Sequence, residues 1–325
     1  MASSRKELNN SEFLTSKGLK LDEIAKEIRE DRSSGASQLA LKAARAFLKL
    51  LGEKPSVRNV RRLARILAES RPSMPPIANM AYRVNELIDR KISEGEDLSE
   101  AIEDAVRTAI SEYQSALRMT IENAVDELRE HDSILVHSYS STAAAAIEGC
   151  EKLKIYVTES RPGYEGRRLA ERLASRGHDV TLVVDAAAAY VLDRSLVDAV
   201  VFGCDAILDD CSIANKIGSK MIALAAADAG IPVEVVADSW KAAIHGFSLE
   251  EHPSEEVYVG DFRVQALNPY FEVVPSRMIS VFVTEWGVVK PQELARMLRE
   301  MWGRVPSPGR KKMGFKPLRR PGRRA

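Results

Sequence analysis

Along the first 130 residues the apolar positions recur every three or four residues, and after Ile134 they gather instead into short runs. A spacing of three and four places side chains on one face of a helix, whereas short β-branched runs between turn residues read as strands. Leu21, Ile24, Ala25 and Ile28 form one helical stripe, and Leu39, Ala43, Ala46, Phe47 and Leu50 form a second. Gly52 ends that helix, and Pro55-Ser56 opens another carrying Val57, Val60, Leu63, Ala64 and Leu67. Arg71-Pro72-Ser73-Met74-Pro75-Pro76 is a break. A capping box at Asp97-Leu98-Ser99-Glu100 starts the last helix of this half, with Tyr113, Leu117, Ile121, Val125 and Leu128 as its stripe.

The second half reads as strands separated by helical segments: Ile134-Leu135-Val136, Lys154 to Thr158, Val180 to Val184, Ala199 to Phe202, Val233 to Val236 and Ile279 to Val283. Alternation of this kind predicts a parallel sheet with right-handed crossovers. The expected class is therefore α/β: a helical bundle over residues 1–130 and a Rossmann-like domain over 131–302, followed by a basic, disordered tail over 303–325. Parallel strands bring their carboxyl ends to one rim, where open α/β sheets bind ligands. The polar groups that follow the strands are Ser138-Tyr139-Ser140-Ser141, Glu159-Ser160-Arg161-Pro162, Asp185, Gly203-Cys204-Asp205 and Asp238-Ser239-Trp240-Lys241.

Composition changes this picture little, since 45% hydrophobic and 29% charged residues suit a soluble globular protein with a sizeable core. The start lacks a signal-peptide pattern and no apolar run spans a bilayer, so a cytoplasmic protein with no membrane association is expected. Cys150, Cys204 and Cys211 lack metal-ligand spacing and read as buried thiols, with no metal and no cofactor expected. The net charge of zero hides an asymmetry. After Glu300 there are nine basic residues and no acidic one, with four prolines among them, a composition that neither folds alone nor repels RNA.

Asn215-Lys216-Ile217-Gly218-Ser219 precedes a helix, and a lysine beside free N–H groups is a candidate phosphate cradle. Arg161 and Lys241 add positive charge to the same rim, so a sugar phosphate or nucleotide is the favoured ligand class. No P-loop and no dinucleotide fingerprint is present. Ser34-Gly35-Ala36 lies between the first two helices, where it serves equally as an anion site or as a plain helix start. Asp185 reads as a helix cap or a site group; His137 reads as a hydrogen-bonded strand end or a ligand contact; Asp205, a carboxylate in an apolar stretch, points to function.

These stretches, together with Gly203-Cys204-Asp205-Ala206-Ile207, Asn268-Pro269-Tyr270-Phe271-Glu272 and Thr284-Glu285-Trp286-Gly287, resemble one family. It unites the α, β and δ subunits of translation initiation factor 2B with methylthioribose-1-phosphate isomerase and archaeal ribose-1,5-bisphosphate isomerase. The resemblance implies a helical domain joined to a Rossmann-like one that dimerises or assembles further. It also implies a phosphorylated small molecule as ligand and initiation factor 2 as a larger partner, whereas RNA is the partner expected of the basic tail. In the isomerases a cysteine after the first strand and an aspartate after the fourth move protons on a sugar phosphate. Asp205 matches that aspartate, and Asn215 and Lys216 match the phosphate pair, whereas Ser138 stands at the cysteine position and Ser34 at that of a phosphate-loop arginine. A hydroxyl does not exchange protons near neutrality as a thiol does. The sequence therefore favours a regulatory subunit-like protein that keeps the pocket, with a sugar-phosphate isomerase and a tail-mediated RNA binder as alternatives.

Overall fold

The computed structural model describes residues 21–31, 34–52, 55–249, 252–260 and 264–303. Five helices come first: α1 (Leu21–Glu30), α2 (Ala36–Ala46), α3 (Val57–Ala68), α4 (Pro75–Ser93) and α5 (Leu98–Leu128). The stripe of α1 is buried as expected, and Ser56 caps α3 by accepting the Asn59 N–H. Two details differ. Asp97 caps α5 through Ser99, two residues on, and the deepest face of α5 is Tyr113, Ala116, Thr120, Ala124 and Leu128. Leu117, Ile121 and Val125 lie beside that face, because small side chains let the helix approach its neighbours most closely.

The sheet half runs β1 (Ser133–Val136), α6 (Ser141–Glu148), β2 (Lys154–Thr158), α7 (Glu165–Ser175), β3 (Asp179–Val183), α8 (Ala188–Asp193) and β4 (Ala199–Phe202). It continues with β5 (Ala206–Ile207), β6 (Ile213–Lys216), α9 (Ser219–Ala229), β7 (Val233–Val236), β8 (Phe271–Val274), β9 (Val281–Thr284), β10 (Gly287–Val289) and α10 (Pro291–Trp302). Seven strands form one sheet in the order β10-β9-β7-β4-β1-β2-β3, parallel except for β10. From β1 the chain winds outward through β2 and β3, then returns to the other side through β4, β7 and β9. The crevice between β1 and β4 is therefore the topological switch point, where a doubly wound sheet opens to ligands. Strands β1 and β4 are buried along their whole length, as central parallel strands are.

The expected parallel sheet is joined by a second one that the strand pattern did not announce. A second sheet, β5-β6-β8, is antiparallel and carries Asn215 and Lys216 on β6. The largest apolar core runs without interruption from Leu21 in α1 to Trp302 in α10, so the helices and the sheet share one interior. Trp240 sits at their junction, edge-on to Tyr113 of α5 and to Trp302 of α10. No helix among the described residues is long and apolar enough to cross a membrane. The basic tail expected over 303–325 lies, after Gly303, outside the described residues.

Candidate functional site

Because β1, β2, β3, β4, β7 and β9 run parallel, the segments after them share one edge, with Ser138 and Asp205 on the two sides of the switch point. The strand ends are packed tightly there: a side chain at Gly203 would collide with that of Ser140, the residue that caps α6. Ser138, Ser160 and Tyr164 all hold left-handed backbone, with φ of 69°, 62° and 56°. Each such non-glycine residue costs about 1–2 kcal/mol, and strain of this kind collects at functional edges. The strain is held by cross-links. Ser138 N–H donates to the Ser160 hydroxyl at 2.9 Å, and the Ser160 and Arg161 N–H groups both donate to Asp185 at 2.7 Å. Asp185 thus fixes the β2 turn rather than capping a helix.

Gly166 lets the start of α7 lie against the Thr158 carbonyl, which any β-carbon there would strike. That approach carries Glu165, only 7% exposed, into the rim. Its Oε1 is 2.5 Å from the ammonium of Lys216, itself 3% exposed, and accepts from the Ser138 hydroxyl at 3.2 Å. The Lys216 ammonium lies 3.1 Å from the ring centre of Tyr270, whose ring also stacks on His252 at 3.6 Å. Burial lowers the Lys216 pKa, while Glu165 first and then Asp205 and Glu256 oppose that shift. Two carboxylates from opposite sides of the switch point therefore act on one buried cation. The Tyr270 phenol, pushed up to about 12 by burial and by the same acids, is a hydrogen-bond donor at neutral pH.

The other expected site residues are distributed as follows. Asn215 donates to the Ser219 hydroxyl, which donates to the Lys216 carbonyl, so Asn215 braces the turn into α9. The cradle of free N–H groups expected at that turn is already filled: Gly218 and Lys220 both donate to Glu272 Oε1, at 2.7 and 3.0 Å. His137 is 2% exposed and uses both ring nitrogens, on the Thr158 hydroxyl and the Ile217 carbonyl, and burial lowers its pKa. Lys241 is buried and donates to the Cys204 carbonyl at 2.7 Å, so its charge serves the interior and not the open rim. Arg161 is half-buried and donates to the Tyr164 hydroxyl, at the mouth of the cleft.

Ser34, Gly35 and Ala36 lie at the start of α2, where Gly35 provides no side-chain cap and the first turn has no acid. The Ser34 N–H already donates to Asp31 at 2.8 Å and its hydroxyl accepts from Lys42, so only the uncapped N–H groups after Gly35 suit an anion. This turn reaches toward the sheet, because the Ser37 hydroxyl lies beside the Tyr113 phenol that packs on Trp240. No cluster of three or more His, Cys, Asp or Glu side chains among the described residues is arranged to hold a metal ion.

Sequence reasoning missed Glu165 and Tyr270 as site residues. An acid in the first turn of a helix complements the helix dipole, which is reason enough for its presence at the sequence level. Only folding reveals that β6 places Lys216 beneath it.

The model of the initiation factor 2 subunit family matches residues 24–291. Ribose 1,5-bisphosphate isomerase of Thermococcus kodakarensis is 30% identical over 308 residues, covering 86% of this chain and 94% of the relative. Methylthioribose-1-phosphate isomerase of Pseudomonas syringae pv. syringae is 32% identical over 267 residues, covering 73% of each. Among solved structures, the translation initiation factor eIF-2B of Pyrococcus horikoshii OT3 superposes with a TM-score of 0.70 at 26% identity, covering 84% of this chain and 98% of that one.

Proposed function

The chain belongs to the initiation factor 2 subunit family, and from that premise we propose that it is an aldose–ketose isomerase acting on a phosphorylated pentose of the ribose 1,5-bisphosphate type. The observation that carries this reading is the meeting of Asp205, Lys216 and Glu165 across the switch point. The similarity over most of the chain to isomerases of that substrate supports it. A pentose phosphorylated at C1 cannot open to a free aldehyde while it keeps that phosphate. Isomerisation must then remove the C2 proton as the C1–O4 ring bond breaks, leaving a C1=C2 enol. A second group protonates O4. The enol becomes the ketose when C1 gains a proton and the C2 hydroxyl loses one. In this reading Asp205 is the acid at O4, and the N–H groups at the uncapped start of α2 after Gly35, with Arg161 at the mouth, bind the phosphates.

The test is direct. Purified protein with ribose 1,5-bisphosphate should yield the ketose at about 1 s⁻¹ or faster, in the ordinary range of enzymes. Ligand binding without turnover would remove the isomerase reading. It would leave a second one, a non-catalytic subunit of an initiation-factor assembly that senses the same ligand. The observation that favours that alternative is Ser138, a hydroxyl where the resemblance to the isomerases implies a thiol. Either form is proposed to work as a cytoplasmic homodimer through the exposed apolar side chains Val184, Tyr190, Met221 and Leu224 around β3, α8 and α9. Light scattering should give twice the monomer mass, and Leu224→Lys should halve it; a wild-type monomer at micromolar concentration would remove the dimer.

A further inference from the structure

The reaction needs a base at C2, and Ser138 cannot be that base at neutral pH. Resting on the isomerase reading, we propose that Glu165 is the catalytic base of this chain, taking the C2 proton through Oε2 and returning it to C1. Three observations point to it. Oε1 is fixed by Lys216 at 2.5 Å and by the Ser138 hydroxyl at 3.2 Å, which leaves Oε2 to act. Oε2 is buried yet accepts no hydrogen bond among the described residues, an arrangement that costs about 1–3 kcal/mol unless a ligand completes it. Gly163 keeps open the space in front of it: a β-carbon there would lie 2.7 Å from Oε2 and 2.9 Å from the Tyr270 hydroxyl.

The neighbouring groups do not compete for the role. The Cys204 thiol is pushed up to about 12 by burial, and both ring nitrogens of His137 are engaged. Lys216 is the counter-charge, and the Tyr270 phenol keeps its proton. Asp205 lies across the switch point, after β4. The step balances as follows. The C2–H pair becomes the C1=C2 bond, its proton goes to Oε2, the C1–O4 pair leaves with O4, and Asp205 gives O4 a proton. Glu165 then protonates C1 while the C2 hydroxyl gives its proton back to Asp205, so both carboxyl groups end as they began. Lys216 acts as a positioning residue that turns Oε2 toward the sugar.

Glu165→Gln keeps the shape of the side chain and removes the base. Expected is a fall in kcat of about 10²–10⁴-fold, with ribulose 1,5-bisphosphate binding by calorimetry held within about threefold. In D₂O the wild type should exchange deuterium into C1 of that ketose, and Glu165→Gln should not. Turnover within about tenfold of wild type, or continued C1 exchange, would overturn the proposal. So would an equal loss of binding and turnover, which would make Glu165 a structural group. If Glu165→Gln does not fold, Glu165→Asp is measured instead: it keeps the carboxylate but withdraws it, so kcat should fall at near-constant KM, and an unchanged kcat overturns the idea. A wild type that binds but does not turn over fails one level lower, on the isomerase reading itself.

Discussion

The two flanks of the switch point both bury acids, but they treat them in opposite ways. On the β1–β2 flank Glu165 meets Lys216 at 2.5 Å, so burial is compensated by a charge. On the β7–β9 flank Asp238 and Glu285 lie together, while the Lys241 ammonium beside them donates to the Cys204 carbonyl. Burial pushes the Glu285 carboxyl up to about 7, Asp238 adds to the shift, and the Asp238 carboxyl is itself raised by burial. One flank keeps a charge in place, whereas the other retains a proton. The difference teaches that carboxyl groups along one sheet edge are held differently according to whether a nearby cation pairs with them directly, as Lys216 does, or spends its hydrogen bond elsewhere, as Lys241 does.

The largest effect should come from removing the charge on the first flank. Lys216→Met leaves Glu165 buried without its cation and should destabilise the fold by about 3–5 kcal/mol in urea denaturation. Adding Glu165→Leu should recover part of that loss. A loss under about 1 kcal/mol would mean that the pair is no more than a surface bridge, and the comparison would collapse.

On the second flank the effect is a slope with pH. Glu285 binds its proton up to about pH 7 when folded but only to about 4.5 when unfolded, so its contribution is full below 4.5 and is lost as pH rises to 7. The loss is at most about 3 kcal/mol, and Glu285→Gln should flatten stability over that window. An unchanged slope would assign the retained proton to another group.

A smaller effect is expected where the helices grip the second flank. Asn79 of α4 donates to the Trp240 and Ala242 carbonyls at 2.6 and 2.9 Å. Asn79→Ala should cost about 1–3 kcal/mol and leave ligand binding at the first flank intact. A parallel loss of binding would show that the flanks act as one.

Much of this layout was legible in the sequence. The runs from Lys154, Ala199 and Val233 mark β2, β4 and β7 to the residue, because buried parallel strands are continuous apolar runs between turns. The second sheet was not legible: β5 has only two residues, and β6 meets β8 after a long excursion through residues 217–270. A comparable separation in sequence hid the pairing of Glu165 with Lys216. Ser138 and Asp205 could be singled out because each lies within three residues of the end of a recognisable strand. The filling of the α9 turn by Glu272 was missed because a partly exposed acid in the middle of a short strand carries no signal of its partner.

The junction around Trp240 also determines what light can report. The three tryptophans of the chain, Trp240, Trp286 and Trp302, line one cleft between α4, α5 and α10, on the β7–β9 flank. Two of them, Trp240 and Trp302, meet edge to face, with Tyr113 against the first. Intrinsic tryptophan emission is therefore a local signal from that flank and is silent about the pocket of Glu165. A change in emission when a sugar phosphate is added would be evidence of mechanical transmission across the sheet, not of the ligand touching an indole.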